Sequence, residues 1–140
     1  MTIEDIKKNI PPIPFSELLK MEVLEIKEGY CKGRMPLLPQ YGNPYRGLHG
    51  GAIYSLADTI TGTAALAYGY YVITLNSSIN YIKAVKDTEF LYCESRVVNQ
   101  GSHIGVYHCD LTDDKGTLMA SAEFSYYRLG PVKTEENQSS

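Results

Sequence analysis

His49-Gly50-Gly51-Ala52-Ile53-Tyr54-Ser55-Leu56-Ala57-Asp58-Thr59-Ile60-Thr61-Gly62-Thr63-Ala64-Ala65-Leu66-Ala67-Tyr68 is the stretch that decides the fold of this chain. Ala52, Ile53, Leu56, Ala57, Ile60, Ala64 and Ala67 recur at helical spacing. That spacing predicts one long helix over about residues 50 to 68, stopped by Gly69. The helix is apolar around much of its girth, so other elements are expected to enclose it on several sides.

On its N-terminal side, residues 21–28 alternate apolar Met21, Val23 (with Leu24 beside it) and Ile26 with charged Glu22, Glu25 and Lys27. This predicts a strand ending at Gly29, and residues 30–37 read as a second strand after a tight turn. A Pro/Gly-rich loop, Pro39 to Gly47, leads into the helix. On its C-terminal side four strands are expected, over residues 71–82, 89–99, 103–112 and 118–127. The turns Asn99-Gln100-Gly101-Ser102 and Asp113-Asp114-Lys115-Gly116 join the last three. One helix cannot cover a flat six-stranded antiparallel sheet, so the sheet must curl around it. The expected class is α+β, a curved antiparallel sheet wrapped around one long central helix.

At the ends, Ile3 and Ile6 suggest a short amphipathic turn, and Asn9-Ile10-Pro11-Pro12-Ile13-Pro14 breaks any helix. Residues 1–14 therefore read as an arm. Phe15, Leu18 and Leu19 form a short helical face that opens the domain, and residues 131–140 read as a polar, frayed tail.

Composition limits the function. A chain of 140 residues suits one domain. A net charge of −3 removes the bulk basic field that nucleic-acid binding uses. No apolar run reaches the roughly 18 residues that span a bilayer. The first eight residues lack a signal peptide's apolar core, so the expectation is a cytoplasmic protein with neither nucleic-acid nor membrane partner. Cys31, Cys93 and Cys109 are an odd, scattered set without CxxC spacing, which predicts buried thiols and no disulfide framework or zinc site. His103 and His108 lack metal-ligand pairing, so neither metal nor cofactor is expected. Twelve Tyr against three Phe and no Trp point to amphipathic interfaces.

The chemistry concentrates around the helix start. A helix N-terminus carries unpaired N–H groups and partial positive charge, and glycine lets a carbonyl approach the backbone closely. Gly50 and Gly51 thus fit either an oxyanion hole or a plain tight turn. Asp58 interrupts an apolar helix, and a buried carboxylate needs a partner, a wet cleft or a function. Its nominated partners are the hydroxyls of Thr61 and Tyr54. Asp58 follows Gly51 by seven residues, so both share one face with Tyr54, Ser55 and Gly62. Along the axis they stand roughly 10 Å apart, too far to meet at one carbonyl within a single helix. Two antiparallel copies related by a two-fold axis would bring them together. His49 fits a hydrogen-bond donor, a cap or a loop support, and Asn43 an orienting amide or a turn residue. No GxSxG elbow, GxGxxG or P-loop is present.

The element order, together with the run Asn43…Gly47-Leu48-His49-Gly50-Gly51-Ala52-Ile53…Leu56-Ala57-Asp58, resembles the hotdog-fold acyl-CoA thioesterases of the phenylacetate-pathway type, including the human thioesterase-superfamily member 2 subgroup. The resemblance covers about residues 15 to 130, the extent given to the hotdog domain. It implies that Asp58 acts as general base or nucleophile and that the Gly50 N–H is the oxyanion donor, with Gly51 beside it. It implies that Asn43 holds the water or the thioester carbonyl, that His49 supports the loop, and that a strand hydroxyl near Thr74 assists. It also implies a homodimer or homotetramer with shared active sites. An acyl-CoA substrate carries phosphates, for which Arg46, Lys83 and Lys86 are the candidate cations. Tyr54 on the helix face is a candidate substrate contact. The competing class is a hotdog protein that binds an acyl-CoA, or acts as a scaffold, without catalysis. A hydratase would need an acid–base pair that the sequence does not show. Asp58 separates the first two, because a pure binder has no use for a carboxylate in an apolar helix.

Overall fold

The computed structural model describes residues 1–134. Helix α1 (Ile3–Asn9) is capped by Thr2 and followed by α2 (Pro14–Leu18). Strands β1 (Glu22–Lys27) and β2 (Tyr30–Pro36) precede helix α3 (Gly50–Leu66). Strands β3 (Tyr70–Tyr81), β4 (Phe90–Gln100), β5 (Ile104–Thr112) and β6 (Leu118–Pro131) complete the chain. All pairings are antiparallel, and the six strands lie in the order β1-β2-β4-β5-β6-β3. The expected α+β class and curled sheet are therefore what the chain adopts. What alternation could not supply is the order: β3 leaves its neighbours in sequence, crosses the sheet and pairs with β6 at the far edge.

Helix α3 buries Ile53, Leu56, Ala57, Ile60, Thr61, Ala64 and Ala65 against the sheet. The facing surface comes from alternate residues: Cys31 and Met35 on β2, Leu91 and Cys93 on β4, Tyr107, Cys109 and Leu111 on β5, Ala122, Phe124 and Tyr126 on β6. Leu56 and Ile60 are fully enclosed, so truncating either to Ala should cost about 2–5 kcal/mol. Gly33 lets the helix approach β2: a Cβ there would collide with Ile60 Cδ1 and stand 2.7 Å from the Glu22 carbonyl. All three cysteines are free and buried, as expected. Burial pushes the Cys31 thiol up to about 12, and raises that of Cys93 as well.

Three boundaries differ from the sequence reading. Helix α3 ends at Leu66, two residues before the expected limit, and Gly69 then turns the chain at φ +95°. Of the face Phe15, Leu18 and Leu19, only Leu19 reaches the core. The five-residue α2 is too short to present a full stripe, and Lys20 at φ +54° then redirects the chain. The tail also starts later than residue 131. Strand β6 runs through Pro131, and Val132 is buried with its N–H on the Gly69 carbonyl at 2.8 Å. The rest of the expected tail, residues 135–140, lies outside the described residues. No helix among the described residues is long and apolar enough to cross a membrane.

Candidate active site

Asp58 sits half-buried on α3, opposite the β3–β6 pair. The Thr74 hydroxyl donates to Asp58 Oδ1 at 2.8 Å, and the Tyr126 phenol donates to the same oxygen at 2.9 Å. Thr74 and Tyr126 are register partners across β3 and β6, which is why both side chains emerge on one face at one height. The Tyr126 oxygen also lies 3.0 Å from the Asp58 main-chain carbonyl. Burial, then the charge of Asp58, drives the phenol's pKa far above its ordinary value, so it stays a proton donor. Asp58 Oδ2 receives no hydrogen bond from any described residue.

The two hydroxyls nominated from sequence are elsewhere. Thr61 faces the core, and Tyr54 shares a 2.6 Å hydrogen bond with Ser77. Thr61 fails because its position on the helix turns it into the sheet. Tyr54 fails because β3 offers it a nearer hydroxyl. Of the two real partners, Thr74 carried an expectation and Tyr126 did not.

At the helix start, His49 is the N-cap, and its Nδ1 accepts from the Gly51 N–H at 2.8 Å. In a neutral ring the proton then resides on Nε2. The N–H groups of Ala52 and Ile53 bond to the His49 carbonyl at 2.9 and 3.2 Å. Gly51 is thus committed to its cap. The Gly50 N–H makes no hydrogen bond to any described residue. Its carbonyl accepts from the Tyr81 phenol at 2.9 Å, a second contact that the sequence did not single out.

Asn43 builds the preceding loop. Its Oδ1 accepts from Tyr45 N–H at 2.9 Å and Gly47 N–H at 3.0 Å, and its Nδ2 donates to the Leu48 carbonyl at 3.3 Å. Most of its amide is therefore spent on its own loop. Arg46, at φ +65°, stands exposed at the tip. The Leu48 N–H bonds to the Val85 carbonyl at 2.8 Å, which sets the Arg46 loop beside the segment bearing exposed Lys83 and Lys86. The three candidate cations thus lie on adjoining segments near the helix N-terminus. A cavity of about 390 Å³ is lined by Leu38, Asn43, Arg46 and Leu48. A second, of about 230 Å³, lies against Phe15, Tyr41, His49, Gly51 and Ser55. No cluster of three metal-ligating side chains occurs among the described residues.

Gly50 and Asp58 both belong to α3, eight residues apart, so a rise of about 12 Å keeps them separate within one chain. One helix thus carries a carboxylate with one oxygen to which no described residue donates and an N-terminal N–H that no described residue accepts.

A six-stranded antiparallel sheet curled on one central helix is the hotdog arrangement of an α+β domain. The chain belongs to the thioesterase superfamily, whose family model matches residues 46–120, more than half of its length. An Archaeoglobus fulgidus protein named for esterase activity is 34% identical over 113 residues, covering 81% of this chain and 73% of that protein. The acyl-coenzyme A thioesterase PaaI of Escherichia coli is 24% identical over 121 residues, 86% of each chain. Its structure superposes with a TM-score of 0.87 at 21% identity, over 94% of this chain and 95% of PaaI, and shows the shared fold. A hypothetical thioesterase protein of Streptococcus pneumoniae with coenzyme A matches at TM-score 0.77 and 29% identity, over 81% of this chain and 91% of that one. In that protein, an aspartate and a threonine sixteen residues apart have each been replaced by alanine.

Proposed function

We propose that this chain hydrolyses acyl-coenzyme A thioesters to free acid and coenzyme A, as a homodimer that pairs into a tetramer and whose copies complete each other's sites. The observation that carries the reading is the Asp58 carboxylate: two hydroxyls hold Oδ1, and no described residue donates to Oδ2. The spacing of sixteen residues between Asp58 and Thr74 repeats that of the two positions replaced in the Streptococcus pneumoniae protein.

Dimerisation is argued from the edge of the sheet. Strand β3 ends the strand order with twelve residues, and beside that edge Ile73 and Leu75 are 47% and 50% exposed. A long unpaired edge with apolar side chains invites a second copy. Antiparallel pairing of two β3 edges lays the two α3 helices side by side, and sets Asp58 of one chain near the partner's Gly50. Ile104, Tyr127 and Leu129, exposed on the outer sheet face, suit the contact between dimers. The domain is assigned from residue 15 through Val132, where β6 and its buried neighbour end, with residues 1–14 as an arm, and three free buried thiols support a reducing, cytoplasmic setting.

In this arrangement the partner's Gly50 N–H receives the carbonyl oxygen of the thioester. Negative charge grows on that oxygen as the carbon is attacked, and the helix terminus stabilises it. Two routes use Asp58 Oδ2. As a base, it takes a proton from water while the water oxygen bonds to the carbonyl carbon. The C–S bond then breaks, and the thiolate leaves with that proton. As a nucleophile, Oδ2 itself bonds to the carbon, the thiolate leaves, and water cleaves the resulting anhydride. When water attacks the Asp58 carboxyl carbon of that anhydride, the acid leaves with an Asp58 oxygen and the water oxygen stays on the enzyme, so label found on Asp58 after a single turnover in heavy-oxygen water identifies the anhydride route. His49 holds Gly51 and so shapes the helix start, Asn43 shapes the loop, and Arg46, Lys83 and Lys86 face the coenzyme's phosphates. Tyr54, tied to Ser77, walls the site beneath the acyl group.

Thiol release from aryl, short-chain and long-chain acyl-CoAs, read with a thiol reagent, tests the activity. Turnover of one class with kcat above background supports the reading. Binding without thiol release would refute it and leave the scaffold class.

A further inference from the structure

We propose that Tyr126 is a positioning residue for this hydrolysis, fixing Asp58 so that Oδ2 is the oxygen presented to the substrate. The inference rests on the thioesterase reading above and deepens it, assigning a task to one of the two hydroxyls that hold Oδ1. An aspartate on a helix can rotate about both of its side-chain bonds. Here one phenol oxygen lies 2.9 Å from Oδ1 and 3.0 Å from the main-chain carbonyl of the same residue. It therefore references the carboxylate to its own backbone. If the phenol were only a core ring seeking an acceptor, the main-chain carbonyl alone would satisfy it.

The other donor to Oδ1, Thr74, is exposed, so water competes for it. Tyr126 is 3% exposed, and a hydrogen bond sheltered from water is electrostatically stronger. Its ring cannot drift. It stacks on Phe124 at 5.9 Å, meets Tyr107 edge-on at 5.8 Å, and lies 3.5 Å from the Cβ position of Gly62. Such packing holds a supporting side chain at the tolerance that an active site needs. With both hydroxyls on Oδ1, the lone pairs of Oδ2 remain available for a proton or a carbonyl carbon.

Tyr126→Phe keeps the ring and removes only the hydroxyl. The best acyl-CoA from the panel is used with the parent, Tyr126→Phe, Asp58→Asn and the double variant, each checked for melting and assembly. Tyr126→Phe should lower kcat about 10- to 10²-fold, the scale of a small misplacement, with KM within about twofold. In the Asp58→Asn background the same change should cost nothing further. An unchanged kcat in Tyr126→Phe, beside an inactive Asp58→Asn, would overturn the inference and leave the thioesterase reading intact. Equal losses in both backgrounds would also overturn it, since the phenol would then act elsewhere. A parent that releases no thiol ends the thioesterase reading itself, and the positioning role with it. A measurement that needs no Phe variant uses 3-fluorotyrosine placed at position 126. Its fluorine resonance should move on Asp58→Asn, and an unmoved resonance would overturn the contact on which the proposal stands.

Discussion

Replacing Asp58 with Asn removes the charge and keeps the shape. The amide oxygen of Asn can accept from both Thr74 and Tyr126, the two donors that now bond to Oδ1 at 2.8 and 2.9 Å. Bonds to a charged acceptor contribute about 1.5–3 kcal/mol and neutral ones about 0.5–1.5, so the two bonds together lose roughly 2–3 kcal/mol. Against this, a half-buried charge no longer has to be desolvated, a gain of similar size once solvent screening at a partly open site is allowed for. The net change in stability should stay within about 1 kcal/mol, or roughly 3–5 °C in Tm for a domain of this length. Losing the group that accepts the proton, or attacks, should cost about 10²–10⁴ in kcat. That is about 2.7–5.5 kcal/mol on the barrier. The chemical effect therefore exceeds the structural one, and a melt run beside the thiol-release assay separates them. Near-full turnover would remove Asp58 from the mechanism. A Tm lower by 10 °C or more, on the order of 2–3 kcal/mol, would mean that its charge holds the β3–β6 corner together instead.

Gly50→Pro deletes the open N–H and, if the protein still assembles, should lose about 2.7–4 kcal/mol of transition-state stabilisation in kcat. Gly50→Ala keeps the N–H and meets the Tyr81 ring at 3.5 Å, an ordinary contact, so it should mainly raise KM. Leu75→Lys, which puts a charge beside the β3 edge, should shift light scattering from the tetramer to smaller species that lack the β3 pairing and abolish turnover; a fully active monomer would refute the shared site. The backbone N–H of Glu89, then Thr88, holds the Asp114 carboxyl below its usual value of 3.8. A depressed carboxyl contributes stability that is present above 3.8 and lost as pH falls through its lower folded value, so urea midpoints should drop at pH 3 in the parent and drop less in Asp114→Asn.

Much of the fold was legible because its signals are local. The 3.6-residue stripe of Ile53, Leu56, Ile60 and Ala64 and the two-residue alternation of Ala120, Ala122, Phe124 and Tyr126 each need only one element to be read. The curl of the sheet followed from counting: six strands and one apolar helix leave no other cover. Phe15 and Leu18 misled because a single helical turn offers too few positions for periodicity to mark a buried face. Pro131 and Val132 misled because a polar sequence hid their partners, Tyr70 in the β3 register and the Gly69 carbonyl, which lie 61 and 63 residues upstream.

The site divides along the same line. His49, Gly50, Gly51 and Asp58 fall within ten residues of one helix, so spacing alone placed them on it and kept Gly50 from Asp58. Tyr126 was hidden for a different reason. Its inward parity could be read from Phe124, two residues earlier on the same strand, but parity does not say which helix residue it meets. That depends on β6 pairing with β3 rather than with a strand adjacent in sequence, and on a register that sets Tyr126 opposite Thr74. Slipping that register by one residue would turn Tyr126 to the outer face and bring Ser125 or Tyr127 to the position facing the helix. The same crossover leaves β3 at the edge of the sheet. One topological choice therefore both sets Tyr126 against Asp58 and exposes the strand proposed to pair with a second copy.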